Sequence, residues 1–165
     1  MTDINNKFLD DEAIEPAMAL LFFAYRDFVS DPDKVLEAYH IGNSTLGRAH
    51  HRVIHFVSRN PGITVAELLG ILRITKQSLS RVLRQLVDEE FIYQEKGKQD
   101  GRLRHLYLTD KGIGFELALS SPQKQRFRRA FKKMGPEAAK QFRDVLLELV
   151  DEDERDLVLR TIDKG

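Results

Sequence analysis

Thr64-Val65-Ala66-Glu67-Leu68-Leu69-Gly70-Ile71-Leu72, then Arg73-Ile74, then Thr75-Lys76-Gln77-Ser78-Leu79-Ser80-Arg81-Val82-Leu83-Arg84-Gln85-Leu86-Val87-Asp88-Glu89 spells two helices with two residues between them. Thr64 followed by Glu67 is a capping-box pattern, so a short helix starts there and runs to Leu72. The two-residue gap leaves room only for a tight turn. Thr75 is a second N-cap candidate, and Leu79, Val82, Leu83, Leu86 and Val87 recur on one face of the helix from Lys76 to about Glu89.

Working upstream, Leu46, Ala49, His50, Val53, Ile54 and Val57 give a helix over Ser44–Arg59, stopped by Asn60-Pro61-Gly62. Working downstream, Phe91–Glu95 and Leu103–Leu108 read as short strands around the polar tip Lys96–Arg102. Three helices followed by a hairpin is the order of a winged helix-turn-helix. The rest is helical. Glu12–Ser30 is apolar round most of its circumference and needs partners on several sides. Asp31 is expected to cap, with Pro32 opening, a short helix to about Tyr39. Thr109 caps a long helix that Ser120-Ser121-Pro122 is expected to interrupt; helices over Glu137–Val150 and Glu152–Ile162 follow Gly135-Pro136. The fold class is therefore mainly α with a small β-hairpin wing (α+β). Residues 1–43 are expected to be an N-terminal helical region whose apolar faces serve dimerisation, 44–111 the winged helix-turn-helix lobe, and 112–165 C-terminal helices that also serve dimerisation.

The 165 residues carry 26 Lys+Arg and 26 Asp+Glu. That zero is a cancellation. Met1–Thr45 holds 3 basic and 9 acidic residues, whereas Leu46–Lys111 holds 12 basic and 7 acidic. A basic module beside an acidic flank points to nucleic acid. With 42% hydrophobic and 32% charged residues the chain has the composition of a folded domain. It has no cysteine, which excludes disulfides, thiolate metal sites and thiol redox chemistry. No run is long enough to span a membrane and the start is not a secretory signal, so a cytoplasmic protein is expected. Without a Gly-rich phosphate loop or a nucleophile elbow, no enzyme and no cofactor are expected. His51 and His55 are spaced like a zinc pair. No carboxylate lies between Ser44 and Arg59, and no metal site is expected.

Opposite the Leu79/Leu83/Leu86 stripe lie Lys76, Gln77, Ser80, Arg81 and Arg84. Arg can grip guanine with two hydrogen bonds and Gln can do so for adenine, while Ser and Lys take a base or a phosphate. Such a face is more often merely solvated. Its place after a capped helix and a tight turn, and before a basic hairpin carrying Lys98, Arg102 and Arg104, favours the reading of double-stranded DNA. The basic run Arg126–Lys133 is interleaved with Phe127, Ala130 and Phe131, so it reads as a helix with one buried face.

Residues 46–112 resemble the MarR-type transcriptional regulators. The resemblance is carried by Thr64–Leu68, Ile74–Leu83, Leu86–Glu89, Asp100-Gly101-Arg102 and Leu108-Thr109-Asp110-Lys111-Gly112. Leu21–Phe28 and Gly47–Arg52 are most similar to the small PetP-like branch. The resemblance implies a homodimer on a pseudo-palindromic operator and a small lipophilic effector in a crevice beside the dimer helices. Thr64, Thr75 and Ser78 then join the DNA-facing set, the wing Asp100 orients Arg102, and His50, His51 and Arg52 are the candidate pocket residues. Three departures stand out. Leu103 replaces the second wing Arg. Leu46-Gly47-Arg48-Ala49-His50 replaces a Leu-Thr-x-x-Gln pattern. Glu90 replaces a Gly, so a left-handed turn there is absent or strained by about 1 kcal/mol. The rival reading is a winged helix that docks an acidic protein without reading DNA.

Overall fold

The computed structural model describes residues 7–39 and 45–163. The helices are α1 (Asp11–Ser30), α2 (Asp33–Ala38), α3 (Arg48–Arg59), α4 (Val65–Leu72), α5 (Lys76–Asp88), α6 (Asp110–Met134), α7 (Pro136–Glu148) and α8 (Arg155–Ile162). The strands are β1 (Ile63–Thr64), β2 (Ile92–Lys96) and β3 (Arg104–Leu108). The expected mainly helical winged helix-turn-helix is what forms.

The reading lobe is built around α3, α4 and α5. Its core holds Val53, Ile54 and Val57 of α3, Leu68 of α4 and Leu79, Leu83 and Leu86 of α5, all almost fully buried. Leu36 of α2 and Phe115 and Leu119 of α6 belong to the same core. Phe91 and Phe115 stack at 4.8 Å between ring centroids, and Tyr39 lies 4.3 Å from Phe115. The flanking helices are thus fastened into the lobe by aromatic packing.

Two caps set the helix-turn-helix. The Thr64 hydroxyl accepts from Glu67 N–H, and Thr64 N–H donates back to the Glu67 carboxylate at 2.8 Å. The Thr75 hydroxyl accepts from Ser78 N–H at 3.1 Å. Between them Arg73 adopts φ 50°, ψ 43° and closes α4 through its N–H to Leu69 O. After α5, Glu90 sits at φ 61°. Its N–H reaches Val87 O, and Phe91 N–H reaches Leu86 O at 2.8 Å. That is a Schellman stop with buried Phe91 as its apolar lock. The left-handed turn is therefore kept despite the Glu, because the six-residue closure and Phe91 burial outweigh a strain of about 1 kcal/mol.

The sheet has the order β1-β3-β2 and is antiparallel throughout. The register pairs Tyr93 with Tyr107 and Ile92 with Leu108 on opposite faces. The strand Ile63–Thr64 was not expected, since two residues carry no periodicity.

Other expectations need correction. The long helix is not interrupted at Ser120-Ser121-Pro122: α6 runs unbroken with Pro122 inside it. Proline costs a helix interior about 3 kcal/mol. Both flanking turns are nailed down, by buried Phe115 and Leu119 before it and by Gln123 and Arg126 after it. Asp31 does not cap α2. Its carboxylate takes two hydrogen bonds of 2.6 Å from the Arg126 guanidinium, which also holds its pKa below the usual range. The helix expected from Ser44 starts at Arg48, with Ser44 itself outside the described residues; Gly47 N–H donates to His50 Nδ1 at 3.0 Å and fixes that start. The last helix begins with a 3-10 turn over Glu152–Glu154 before α8.

Candidate nucleic-acid interface

One face of α5 is sealed into the core, and this decides what the other face presents. With Leu79, Val82, Leu83 and Leu86 buried, Lys76, Gln77, Ser80, Arg81 and Arg84 all stand exposed on the opposite side. Three cationic side chains and two neutral hydrogen-bonding ones thus project from the first three turns of one rigid helix. Its buried half prevents it from rolling.

The other candidates divide. Thr75 donates its hydroxyl to Ser78 Oγ at 2.9 Å while accepting from Ser78 N–H, so both residues serve the cap. The Thr64 hydroxyl donates to Glu67 and is likewise engaged. In the wing, Asp100 does not meet the Arg102 guanidinium. Its Oδ1 accepts from Arg102 backbone N–H at 2.9 Å, so the carboxylate shapes the turn and leaves the Arg102 side chain exposed. Arg104 folds back, donating to Gly101 O and Leu103 O at 2.9 and 3.3 Å. Lys98 and Arg102 are thus the wing cations held outward, and Arg104 braces the tip.

The three pocket candidates are not brought together. His50 turns toward α5: its Nδ1 accepts from Gly47, so Nε2 carries the proton and donates to Gln85 Oε1 at 2.7 Å. His51 points into the body, 7% exposed with Nε2 unpartnered, and burial pushes its pKa down to about 4. Arg52 is exposed. Sequence reading missed what lies beside His51. His55 Nδ1 is 3.6 Å from the buried Glu116 carboxylate, and its ring meets His51 edge-on at 6.5 Å. A groove of about 320 Å³ opens next to them, lined by Phe28, His55, Ser120, Lys124, Phe127 and Arg128. The sequence signal for it was the four-residue step from His51 to His55 combined with Glu116 on the buried face of α6. Gln85 was also missed; besides His50 it bonds Glu89 at 3.0 Å, tying the start of α3 to the end of α5. Among the described residues no group of three or more His, Asp or Glu is placed to hold a metal ion. No helix among them is long and apolar enough to cross a membrane.

Comparison with known proteins agrees with this geometry. Residues 44–103 match a model of the MarR family. The chain is 46% identical over 144 residues to the HTH-type transcriptional regulator PetP of Rhodobacter capsulatus, covering 87% of this chain and 84% of that protein. Its fold is similar to that of Streptococcus pneumoniae FabT, solved in complex with DNA. The TM-score is 0.64 at 18% identity, over 85% of this chain and 94% of that one. It is also similar to Staphylococcus aureus MepR in its DNA complex, with TM-score 0.60 at 21% identity over 80% and 94% of the two chains. None of these relatives supports the rival reading of a winged helix used only to dock an acidic protein. A regulator nearly half identical over most of both chains, together with the family match across the reading lobe, leaves one assignment: the chain belongs to the MarR family of transcriptional regulators.

Proposed function

We propose that this regulator binds duplex DNA as a homodimer in the cytoplasm, without catalysis, and that α5 does the reading. The observation that carries this is the exposed face Lys76, Gln77, Ser80, Arg81 and Arg84, set opposite a fully buried stripe. Arg81, Arg84 and Gln77 suit base edges in a major groove, and Lys98 and Arg102 suit the flanking backbone or minor groove. Division into 1–43, 44–111 and 112–165 is then one of roles, with helical arms on either side of a reader. The arms supply the dimer. α1 exposes Leu20, Phe22, Phe23 and Tyr25 by more than half of their surface, and α7 and its C-cap expose Val145 and Leu149. Surfaces of that size on a soluble protein mark an interface. Two-fold symmetry then sets half-sites one helical turn apart, about 10 bp.

The groove beside His55 supports the effector part of the reading. It is walled by Phe28 and Phe127 and rimmed by Lys124 and Arg128, which suits an apolar ring bearing an anionic group. Such a ligand would sit between the arm helices and the lobe.

Fluorescence anisotropy with a duplex from upstream of the protein's own gene tests the DNA reading. Arg84→Ala and Arg81→Ala each weaken binding about tenfold or more, at unchanged circular dichroism, and binding falls steeply with salt. Undiminished binding by both variants would sink the assignment of α5.

A further inference from the structure

From Leu117 to Pro136 the chain has no acidic residue and six basic ones. Arg126 is spent on Asp31. Lys124, Arg128, Arg129, Lys132 and Lys133 are exposed and make no salt bridge among the described residues, although Arg129 lies near enough to Asp31, and Lys124 to Glu116, to help lower those carboxyl pKa values. The helix that folds back along α6 offers them nothing. On α7, Glu137 bonds Gln141, Asp144 pairs with Lys140, and Glu148 pairs with Arg155. A solvated basic face needs no partner. This one, however, lies on an arm helix, at the far end from the reading lobe.

The complementary charge is on α1. Asp10, Asp11, Glu12 and Glu15 are all exposed, and none is ion-paired among the described residues. Asp11 and Glu15 lead along one helix face into Met18 and Phe22, which are 54% and 73% exposed. The helix meets the body of its own chain at its last turns. There Phe28 packs edge-on against Phe127 at 5.8 Å, and Gln123 donates to Phe28 O. No residue of α1 is buried. From Phe28 back to Asp11 the helix reaches about 26 Å away from that anchor. The acidic end is therefore carried out of its own molecule on an unpartnered apolar rod.

We propose that the cationic end of α6, through Arg129, Lys132 and Lys133, seats the acidic first turns of α1, Asp11, Glu12 and Glu15, from a second copy of the chain. This rests on the dimer reading above and adds its register. Apolar faces alone can slide by a helical turn, whereas a charge match at one end fixes which turn meets which. Two-fold symmetry makes the contact twice. The cationic end of α6 thereby meets the acidic end of α1 across subunits, while Arg126 and Asp31 pair within one chain.

Sedimentation equilibrium of the full chain tests this by charge reversal. Asp11→Lys/Glu12→Lys/Glu15→Lys raises the dimer dissociation constant about tenfold or more at low salt, and Arg129→Glu/Lys132→Glu/Lys133→Glu does the same. Both sets combined in one chain return it to within about threefold of the wild type. The wild-type constant also rises with salt, a readout that needs no variant to fold. Unchanged constants for both triple variants, failure of the combined variant to recover while remaining helical, or a flat salt response overturns the proposal. Loss of DNA affinity with an unchanged dimer constant in the cationic variant also overturns it, assigning the strip to phosphate. A wild type that stays monomeric at every concentration instead defeats the dimer reading itself.

Discussion

Gly112 and Gly114 lie two residues apart on α6, and replacing each by alanine should move stability in opposite directions. A Cβ on Gly112 falls far inside van der Waals range of the Phe91 carbonyl oxygen, 3.0 Å from the carbonyl carbon and 3.3 Å from Leu108 Cβ. That carbonyl cannot retreat freely, because Thr109 N–H donates to it at 3.1 Å and the Thr109 hydroxyl spans Phe91 O and Glu90 O at 3.3 and 2.6 Å. Losing two hydrogen bonds costs about 2 kcal/mol. Overpacking strain adds about 2, and the gain in helix propensity returns about 1. Gly112→Ala should therefore destabilise by about 3 kcal/mol. Gly114 is exposed with nothing within 4 Å of a new Cβ. Gly114→Ala should stabilise by about 0.5–1 kcal/mol. Urea titration followed by circular dichroism, at one fixed protein concentration because the proposed dimer makes stability concentration-dependent, reads both. With an m-value of about 2 kcal/mol/M, the Gly112 variant loses about 1.5 M in midpoint. A Gly112→Ala midpoint at or above wild type would refute the close approach of α6 to the wing base.

His51 makes stability pH-dependent. Its folded pKa of about 4 lies below its ordinary 6.5, so the unfolded chain takes up the proton first as pH falls. Stability is complete above pH 6.5 and drains between 6.5 and 4, by up to about 3 kcal/mol. From about pH 4.5 downward Glu116, whose pKa is lowered chiefly by its contact with His55, takes away more in the same direction. Denaturant midpoints of His51→Gln should be flatter between pH 7 and 4, and equal slopes for variant and wild type would exclude His51 as the source. Glu90→Gly relieves the φ of 61° and should raise stability by about 1 kcal/mol; a loss in thermal melting would mean the Glu side chain contributes more than its strain. Thr64→Ala removes the α4 cap at a cost of about 1 kcal/mol, while Thr64→Ser is close to neutral in the same melt.

The reading lobe was legible because its signals are local. Thr64 with Glu67 announces its cap within four residues, Thr75 marks the start of the next helix, and the Leu79-to-Leu86 spacing names the buried face of α5 without knowledge of what covers it. Features decided by distant partners were not legible. Nothing near Asp31 says that Arg126, 95 residues on, will take its carboxylate away from the cap it was expected to make. Pro122 illustrates the same point with the sign reversed. Local rules stop a helix there, but Phe28, Asp31 and the core around Leu119 hold both neighbouring turns. The two residues of β1 become a strand only because β3 lies beside them.

The site followed the same division, with a consequence for function. Exposed positions on α5 could be read from the helical period alone, and all five fall where expected. Asp100 and the histidines could not be, because the identity of a partner is a property of the fold. Asp100 spends its carboxylate on a backbone N–H, and His50 spends both ring nitrogens on Gly47 and Gln85. That second arrangement ties α3 to the reading helix itself. Gln85 lies one residue beyond Arg84 and also bonds Glu89 beside the strained Glu90 turn. On the opposite side of α3, His51 and His55 face Glu116 of α6. One helix thus touches the reader with His50 and the arm with His51 and His55, and a ligand in the Phe28–Phe127 groove would bear on the second contact. A shift of α3 along its axis would change both at once. His50 and His55 are five residues apart, about one and a half turns of α3, so both contacts belong to one rigid element.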